Sequence, residues 1–172
     1  MTIRLGANGA DGIATRSQLG RVLETDTIRS VEDVRGSNNQ DTIIGNEQDN
    51  KLFGEEGDDR ITGGGDSNIE ALTGGSGKDT FIYLSRSDSN VTATRSGDFI
   101  LDFTVGQDRI DLRALGVNAS NLDFEVQIGA DGTRAVRLTE DLNQDGLVGD
   151  TEFSIGVILA GPGDLSLQDI LI

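Results

Sequence analysis

The stretch that decides the fold is residues 36–82, which reads GSNNQDTII-GNEQDNKLF-GEEGDDRIT-GGGDSNIEALT-GGSGKDTFI when a glycine opens each unit. Four of these five units have nine residues, and the fourth has eleven. An apolar residue recurs near the end of every unit: Ile43, Leu52, Ile61, Leu72 and Phe81. An acid or amide stands two places earlier in the four regular units: Asp41, Asn50, Asp59 and Asp79. Self-similarity at a short fixed period indicates stacked repeats.

Each unit predicts a six-residue turn followed by a three-residue strand. Glycine supplies the positive φ angles of the turn, and the apolar side chain of the strand points inward. Strands this short are stable only when they stack on their neighbours. Because two nine-residue units complete one coil, turns 18 residues apart lie on the same side. Their carboxylates and carbonyls then converge on one gap, and such hard oxygen ligands are those that calcium prefers.

The composition favours a fold that a cation completes. The chain has 30 acidic and 14 basic residues, a net charge of −16. Nucleic acid is excluded as a partner because phosphate binding needs clustered basic residues. The like charges oppose compaction until cations neutralise them. With 24 glycines and few aromatic residues, the bare chain buries too little apolar surface to offset its ordering entropy.

Missing residue types exclude several kinds of chemistry. The chain has no cysteine and no histidine, which rules out disulfides, thiolate metal sites, histidine-activated nucleophiles and HExxH zinc proteases. A chance pair of carboxylates is expected among so many acids, so we predict that the chain is not an enzyme. No stretch is long enough to span a membrane, and the first residues lack an apolar signal-peptide core.

The flanking segments predict caps on the roll. We assign residues 1–35 to a degenerate lead-in and N-terminal cap, with a short helix near 17–23 and an acid-then-apolar rhythm at 26–28 and 32–34. We assign residues 83–172 to an antiparallel β cap, with strands at 99–101, 124–128, 136–138 and 153–157, a helical turn at 112–115 and a hairpin turn at 131–132. The predicted fold is all-β: a calcium-bound parallel β-roll at 36–82 capped by antiparallel strands.

Two motifs resemble a known family. The unit GGSGKDTFI at 74–82 matches the nonapeptide GGxGxDxUx, where U is a large apolar residue. The segments DFILDF at 98–103 and GQDRIDL at 106–112 are similar to the DxIxDFxxGxDxIDL stretch that follows such repeats. The chain thus resembles the RTX (repeat-in-toxin) calcium-binding family, the C-terminal domain of serralysin-type proteases and the R-modules of secreted alginate epimerases.

The resemblance implies particular calcium ligands. One site would use Ser37, Asn39 and Asp41 with Gly54, Glu56 and Asp59. A second would use Glu55, Gly57 and Asp59 with Gly74, Ser76 and Asp79, although the eleven-residue unit interrupts its spacing. A site on the opposite side, formed by Asn46, Gln48 and Asn50 with Gly63 and Gly65, is expected to be weak or empty because Asn50 and Asn68 replace its acids. The family pattern also implies calcium ligation by Asp88 and Asp98.

A further calcium-like pattern is DLNQDGLVGDTE at 141–152. It places Asp141, Asn143, Asp145 and Glu152 at positions 1, 3, 5 and 12 of an EF-hand-type loop. The flanking sequences alternate like strands, whereas helices flank a true EF-hand. Two interpretations stay open: a calcium loop between strands, or a plain hairpin turn.

The resemblance also implies a function. RTX chains stay open in a calcium-poor cytosol and fold outside the cell, so we expect a secreted bacterial module that supports type I secretion and stability of a larger exported protein. The final residues, Asp169 to Ile172, resemble an uncleaved C-terminal export signal and could equally form a last strand; both can hold together. The alternative is a carbohydrate-binding module like the epimerase R-modules, gripping an anionic, alginate-like polysaccharide through some of the 12 arginines.

Overall fold

The computed structural model describes residues 1–6, 10–18, 21–64, 70–89, 97–141 and 153–172. Over these ranges the chain is built from β-strands, and its helical segments are single turns of 3-10 helix: Arg86–Ser89, Arg113–Leu115, Ala119–Asn121 and Leu167–Asp169. The predicted all-β class is confirmed, as is a helical turn within 112–115. No helix of the described chain is long and apolar enough to cross a membrane.

The described residues form fifteen strands in two sheets. The strands are β1 Thr2–Arg4, β2 Gly12–Gln18, β3 Arg21–Ile28, β4 Asp33–Arg35, β5 Thr42–Ile44, β6 Lys51–Glu56, β7 Arg60–Thr62, β8 Ala71–Ser76, β9 Thr80–Ile82, β10 Phe99–Phe103, β11 Arg109–Asp111, β12 Leu122–Ile128, β13 Arg134–Glu140, β14 Ser154–Leu159 and β15 Ile170–Leu171. The first sheet has the order β15-β11-β9-β7-β5-β1-β2-β3, and the second has the order β12-β13-β14-β10-β8-β6-β4.

Successive repeat strands alternate between the two sheets, as a two-unit coil requires. Strands β5, β7 and β9 pair in parallel in the first sheet, and β4, β6 and β8 pair in parallel in the second. Each three-residue strand turns its middle residue into the core, and its outer residues are exposed or half-buried except Thr62, which is also buried. The predicted parallel β-roll is therefore confirmed.

The core is two facing rows of apolar side chains, one from each sheet. Ile43, Ile61 and Phe81 are in register in the first sheet, and Leu52 and Leu72 are in register in the second. All five side chains are completely buried. Burial of each contributes roughly 2 kcal/mol, so the apolar position of every unit fixes which way its strand faces.

Parallel pairing continues beyond the repeats at both ends. Strand β1 pairs with β5 before the repeats begin, and β10 and β11 stack on β8 and β9 after they end. The reason is that Ile100 and Ile110 each follow an aspartate by two residues, as in the repeats, and both are completely buried. Strand β15 then pairs in parallel with β11.

Antiparallel strands flank this parallel body. Strands β12, β13 and β14 form an antiparallel meander, so the predicted antiparallel region and its hairpin turn at 131–132 are confirmed there. The rest of the predicted antiparallel cap differs, because β10, β11 and β15 pair in parallel with their neighbours in the roll. The helix predicted near residues 17–23 is wrong: the described residues of that span belong to β2 and β3, an antiparallel hairpin. The already extended β1 offers its backbone edge to β2, so pairing outweighs the weak local preference for a helix.

The eleven-residue unit does not disturb the stacking. Leu52 pairs with Leu72 and Ile61 pairs with Phe81, so each coil across this unit spans 20 residues instead of 18. Both flanking strands therefore keep their register across the longer unit.

One backbone position carries strain that a substitution can remove. Glu55 has a φ of 81°, in a region that favours glycine, at the place where the consensus unit has its second glycine. We expect Glu55→Gly to raise the free energy of unfolding by about 1 kcal/mol, since the relief of strain exceeds the loss of an exposed Arg35–Glu55 ion pair. Urea denaturation in excess calcium measures this change.

The matched control is Glu56→Gly, because Glu56 has no positive φ and is also exposed. There glycine should destabilise the roll by about 0.5–1 kcal/mol through the entropy of the unfolded chain. Equal losses at both positions would contradict the assignment of strain to Glu55.

Candidate metal centre

One side of the roll carries a continuous stack of aspartates, which we call the acid ladder: Asp41, Asp59, Asp79 and Asp108. The backbone N–H of Asp41 donates to Oδ1 of Asp59 at 2.8 Å, and that of Asp59 donates to Oδ1 of Asp79 at 2.9 Å. The N–H of Asp79 donates to Oδ1 of Asp108 at 3.0 Å. All four residues are buried, so the ladder joins successive coils through their acids.

The Oδ2 atoms of the ladder differ in their hydrogen bonding: those of the two end residues have a partner, and those of the two middle residues have none. Oδ2 of Asp41 accepts the N–H of Ser37 at 2.5 Å, and Oδ2 of Asp108 accepts the N–H of Thr104 at 2.7 Å. The Oδ2 atoms of Asp59 and Asp79 are buried without a hydrogen-bond partner. Leaving a buried carboxylate oxygen unsatisfied is costly, so these two atoms mark places where a cation fits.

The carbonyl groups of Gly54 and Gly74 lie next to carboxylates of the ladder. A Cβ atom added to Gly54 would lie 2.5 Å from the carbonyl oxygen of Gly74 and would also overlap Oδ2 of Asp59. A Cβ atom on Gly36 would lie 2.7 Å from Oδ2 of Asp41 and would overlap the Gly54 carbonyl. Carboxylate and carbonyl oxygens of adjacent coils therefore face the same space, which only glycine leaves open.

The remaining ligands of the two expected sites lie in stacked turns. Glu55 pairs with Gly75 and Glu56 with Ser76, and the N–H of Gly57 donates to the Ser76 carbonyl at 2.8 Å. The turn at Asn39 stacks on Gly57, where an added Cβ would lie 2.9 Å from the Asn39 carbonyl oxygen. The second site thus has its turns aligned in spite of the longer fourth unit.

The electrostatics of the ladder favour a bound cation. Burial, with further contributions from Asp108, Asp59 and Asp102, raises the pKa of Asp79 to about 7. Burial likewise raises the pKa values of Asp59 and Asp108. These shifts reflect carboxylates held in a low dielectric beside other carboxylates. The N-terminal ammonium, which pairs with Asp41, and the guanidinium of Arg109 offset them only in part.

The donors present suit calcium. Within the described ranges, no three acidic side chains converge as a ready-made cluster, so a site here combines one or two carboxylates with backbone carbonyls. Such an all-oxygen set, without histidine or cysteine, fits a hard cation with a flexible coordination shell. Asp41, Asp59 and Asp79 would supply charge, and the turn carbonyls would complete the shell.

The opposite side of the roll contains an acid that the repeat alignment missed. The register of β6 and β8, with Lys51 paired to Ala71, places Glu70 level with Asn50. Glu70 precedes Leu72 by two residues, the spacing found in the other units, so this signal was present in the sequence. Residues Gly65 and Asn68 lie outside the described residues. Oδ1 of Asn50 accepts the N–H of Asn46 at 2.7 Å.

Asp88 and Asp98 lie on this opposite side and are linked through Ser89. The Ser89 hydroxyl accepts the N–H of Asp98 at 2.8 Å and donates to the Ser154 carbonyl at 2.6 Å. Oδ2 of Asp88 accepts the N–H groups of Leu84 and Ser85 at 2.7 and 3.1 Å. Both aspartates are buried, and burial raises the pKa of each, that of Asp98 very strongly.

The EF-hand-like pattern is only partly within the described chain. Asp141 is buried, and its N–H donates to the Asn121 carbonyl at 2.8 Å. Asn143, Asp145 and Glu152 lie outside the described residues. The flanking elements are the antiparallel strands β13 and β14, with Thr139 paired to Ser154, which agrees with a loop between strands.

Asp102 and Asp108 are two further acids with defined contacts that the sequence reasoning did not assign. The carboxylate of Asp102 accepts the N–H groups of Gly74 and Gly75 at 2.9 and 2.7 Å. Asp108 ends the acid ladder with both oxygens satisfied by backbone groups. The spacing of Asp108 from the buried Ile110 was a usable signal; Asp102 has no such pattern.

Two sheets whose central strands are parallel, stacked glycine turns and a buried acid ladder together define a β-roll module. Residues 23–155 match the family described as peptidase M10 serralysin C terminal. The chain belongs to this family, whose members are calcium-binding β-roll modules of secreted proteins. The resemblance inferred from the repeats is confirmed, and so is the prediction that the chain is not an enzyme.

Solved structures lead to the same class. The chain is similar to the AlgE6R3 subunit of the Azotobacter vinelandii mannuronan C5-epimerase, with 31% identity over 81% of this chain and 76% of that one, and a TM-score of 0.57. The AlgE6R2 subunit of the same enzyme has 28% identity over 82% of this chain and 90% of that one, with a TM-score of 0.54. Comparison with curated protein sequences gives no match.

A substitution within the ladder tests its role in metal binding. Asp59 faces both expected sites on this side, so Asp59→Asn should raise the calcium concentration at the folding midpoint by about tenfold or more. The control is Asp58→Asn, which removes the same charge from the neighbouring exposed residue and should shift the midpoint less than about twofold. Calcium titration followed by circular dichroism measures both midpoints, and equal shifts would contradict a specific role for Asp59.

Proposed function

We propose that the chain is a calcium-triggered folding module that supports type I export and the extracellular stability of a larger bacterial protein. The observation that carries this proposal is the pair of buried, unpartnered Oδ2 atoms of Asp59 and Asp79. They lie on the line of turns whose carbonyls face the same space, and a bound calcium ion would satisfy both. Without a cation, the roll keeps a stack of acids in a low dielectric, which opposes folding.

Linkage gives the size of the effect. An ion that binds only the coiled state at 100 times its dissociation constant stabilises that state by about 2.7 kcal/mol. Two such ions add about 5 kcal/mol, which is comparable to the total stability of a small domain. The chain is therefore open where calcium is scarce and folded where calcium is abundant, and an open chain suits passage through a narrow export channel.

The burial of residues 169–171 in the folded roll supports export of the chain before it folds. Asp169 and Ile170 are buried, and Ile170 begins β15, which pairs with β11. The Asp169 carboxylate accepts the N–H of Gly106 at 3.1 Å and caps the turn at Ser166. A transporter could read these residues only while the roll is open, so export has to precede folding.

Removal of calcium is the direct test. Excess chelator should abolish the β-sheet circular dichroism signal of the chain, and added calcium should restore it. Magnesium at the same concentration is the control, because it demands a smaller, octahedral shell and should not restore the signal. A chain equally folded in excess chelator would contradict the proposal.

A second candidate function is binding of an anionic polysaccharide, and one observation favours it. Strand register in the first sheet aligns an outward-facing row of hydroxyl and guanidinium groups: Thr2, Thr42, Arg60, Thr80 and Arg109. At about 4.8 Å between strands the row is roughly 19 Å long. Hydroxyls and guanidinium groups in a line suit the repeated carboxylates and hydroxyls of an acidic sugar chain.

Titration with alginate oligomers in calcium tests this second function. Arg60→Ala should weaken binding at least about fivefold if the row is the binding face. The control is Arg137→Ala, on β13 of the second sheet, which should leave the affinity unchanged. Absence of binding heat and of NMR shifts for the native chain would leave only the folding function.

A further inference from the structure

Strand β12 leaves one edge of the second sheet open. It lies at the end of that sheet and pairs with β13, and with no other strand of the described chain. It has seven residues, whereas the strand at the other end of the same sheet, β4, has three, and β15 at one end of the first sheet has two. Short edge strands are one means by which a sheet avoids pairing with another chain. β12 instead offers a long row of backbone groups to a further strand.

One face of β12 is an uninterrupted row of apolar side chains. Phe124, Val126 and Ile128 alternate with polar residues, and the row is half-buried at Phe124, 50% exposed at Val126 and 71% exposed at Ile128. Among the large apolar residues of the described ranges, Ile128 is the most exposed. The remaining edge strand, β3, has the acids Glu24 and Asp26 at alternate positions of one face, which interrupt any such row. The apolar face of β12 thus extends beyond the core that covers its first residues.

The backbone groups of the same residues point toward the open edge. Along an antiparallel pair, residues that exchange hydrogen bonds with the partner strand alternate with residues whose N–H and C=O point to the other side. The N–H of Gly129 donates to the Thr133 carbonyl at 2.8 Å, and the pairing of β12 with β13 continues from there without a shift in register. The odd-numbered residues of β12 therefore bond to β13. The even-numbered residues, including Val126 and Ile128, present their N–H and C=O at the edge.

Charge selects one register for the pairing of two copies of β12. If two copies run antiparallel about a two-fold axis at Val126, Phe124 lies opposite Ile128 of the second copy and Glu125 lies opposite Gln127 of the second copy. A carboxylate then faces an amide that can donate to it. An axis at Glu125 would place two carboxylates opposite each other, which is unfavourable. An axis at Gln127 would pair only three residues of the strand.

We propose that β12 is the interface of a homodimer, in which two copies pair antiparallel about Val126 and join their seven-stranded second sheets into one continuous sheet. The three even-numbered residues 124, 126 and 128 of each copy exchange about six backbone hydrogen bonds across the axis. Pairing also packs Val126 against its equivalent and Ile128 against Phe124 of the second copy. The net charge of −16 on each chain opposes association, so added salt should strengthen the dimer. This inference does not rest on the proposed function.

Sedimentation velocity in calcium, over a wide range of protein concentration, tests the dimer. The native chain should change from monomer to dimer as its concentration rises. Val126→Lys places two ammonium groups opposite each other at the axis and should raise the dimer dissociation constant at least about tenfold.

The matched control is Gln127→Lys, the same change at the next residue. It places an ammonium group opposite Glu125 of the second copy, so the dissociation constant should stay within about twofold of the native value or fall. A native chain that is monomeric at every concentration would overturn the dimer and leave the edge to a strand of another protein. Equal weakening by the two substitutions would overturn it as well.

Disulfide cross-linking covers the case in which Val126→Lys does not fold. The chain has no cysteine, so one introduced thiol can form a disulfide only between copies. In the proposed register the two Cα atoms at position 126 lie about 5.5 Å apart, within the range of a disulfide, whereas those at position 127 lie about 7–8 Å apart. Under mild oxidation, Val126→Cys should cross-link at least about tenfold faster than Gln127→Cys. Equal rates, or no cross-linking of Val126→Cys, would overturn the pairing.

Discussion

The structure depends on the hydrogen bond that each stacked acid accepts from the coil before it. In a short three-residue strand the apolar core position alone cannot hold the turn, because the turn buries backbone groups and gains little apolar contact. The turn is held instead by the carboxylates of Asp59, Asp79 and Asp108. Each accepts the backbone N–H of the acid one coil earlier, and this hydrogen bond aligns the two turns. That arrangement concentrates negative charge along the roll, and this charge is the physical basis of the cation dependence that we propose.

The constraint explains why a first glycine occurs together with an acid or an amide in every regular unit. The acid has to approach the first residue of its own turn closely, and a side chain at that first residue would occupy the space of the carboxylate and of the next carbonyl. Gly54 shows this directly, since any Cβ there meets Asp59 and Gly74 at once. The repeat is thus a consequence of packing an anion against a backbone, and the same packing leaves room for an ion.

The sequence predicted the parts of the fold that follow a fixed spacing. The parallel roll and its inward-facing residues could be predicted because every unit has one apolar residue near its end. These residues are Ile43, Leu52, Ile61, Leu72 and Phe81. Glu70 was missed because the units were counted forward from glycine, whereas register is set by the apolar residue that ends the unit. Ile100 and Ile110 keep the spacing from acid to apolar residue, but the continuation of the roll does not keep the 18-residue period, because these coils span 28 and 29 residues between equivalent acids. The hairpin of β2 and β3 depends on pairing with β1, a non-local contact that no local pattern reveals.

The last strand shows how closure of the roll is coupled to the state of the whole chain. β15 pairs only with β11 in the described structure, and Asp169 is held by Gly106 and lies 3.6 Å from the guanidinium group of Arg109. These partners exist only after the loop between β10 and β11 has formed, and that loop places Asp108 at the end of the acid ladder. Burial of residues 169–170 therefore depends on the ladder, whose charge bound cations would offset under the proposed function. Under the calcium-dependent folding that we propose, one equilibrium would determine whether residues 169–172 are exposed or incorporated into the sheet.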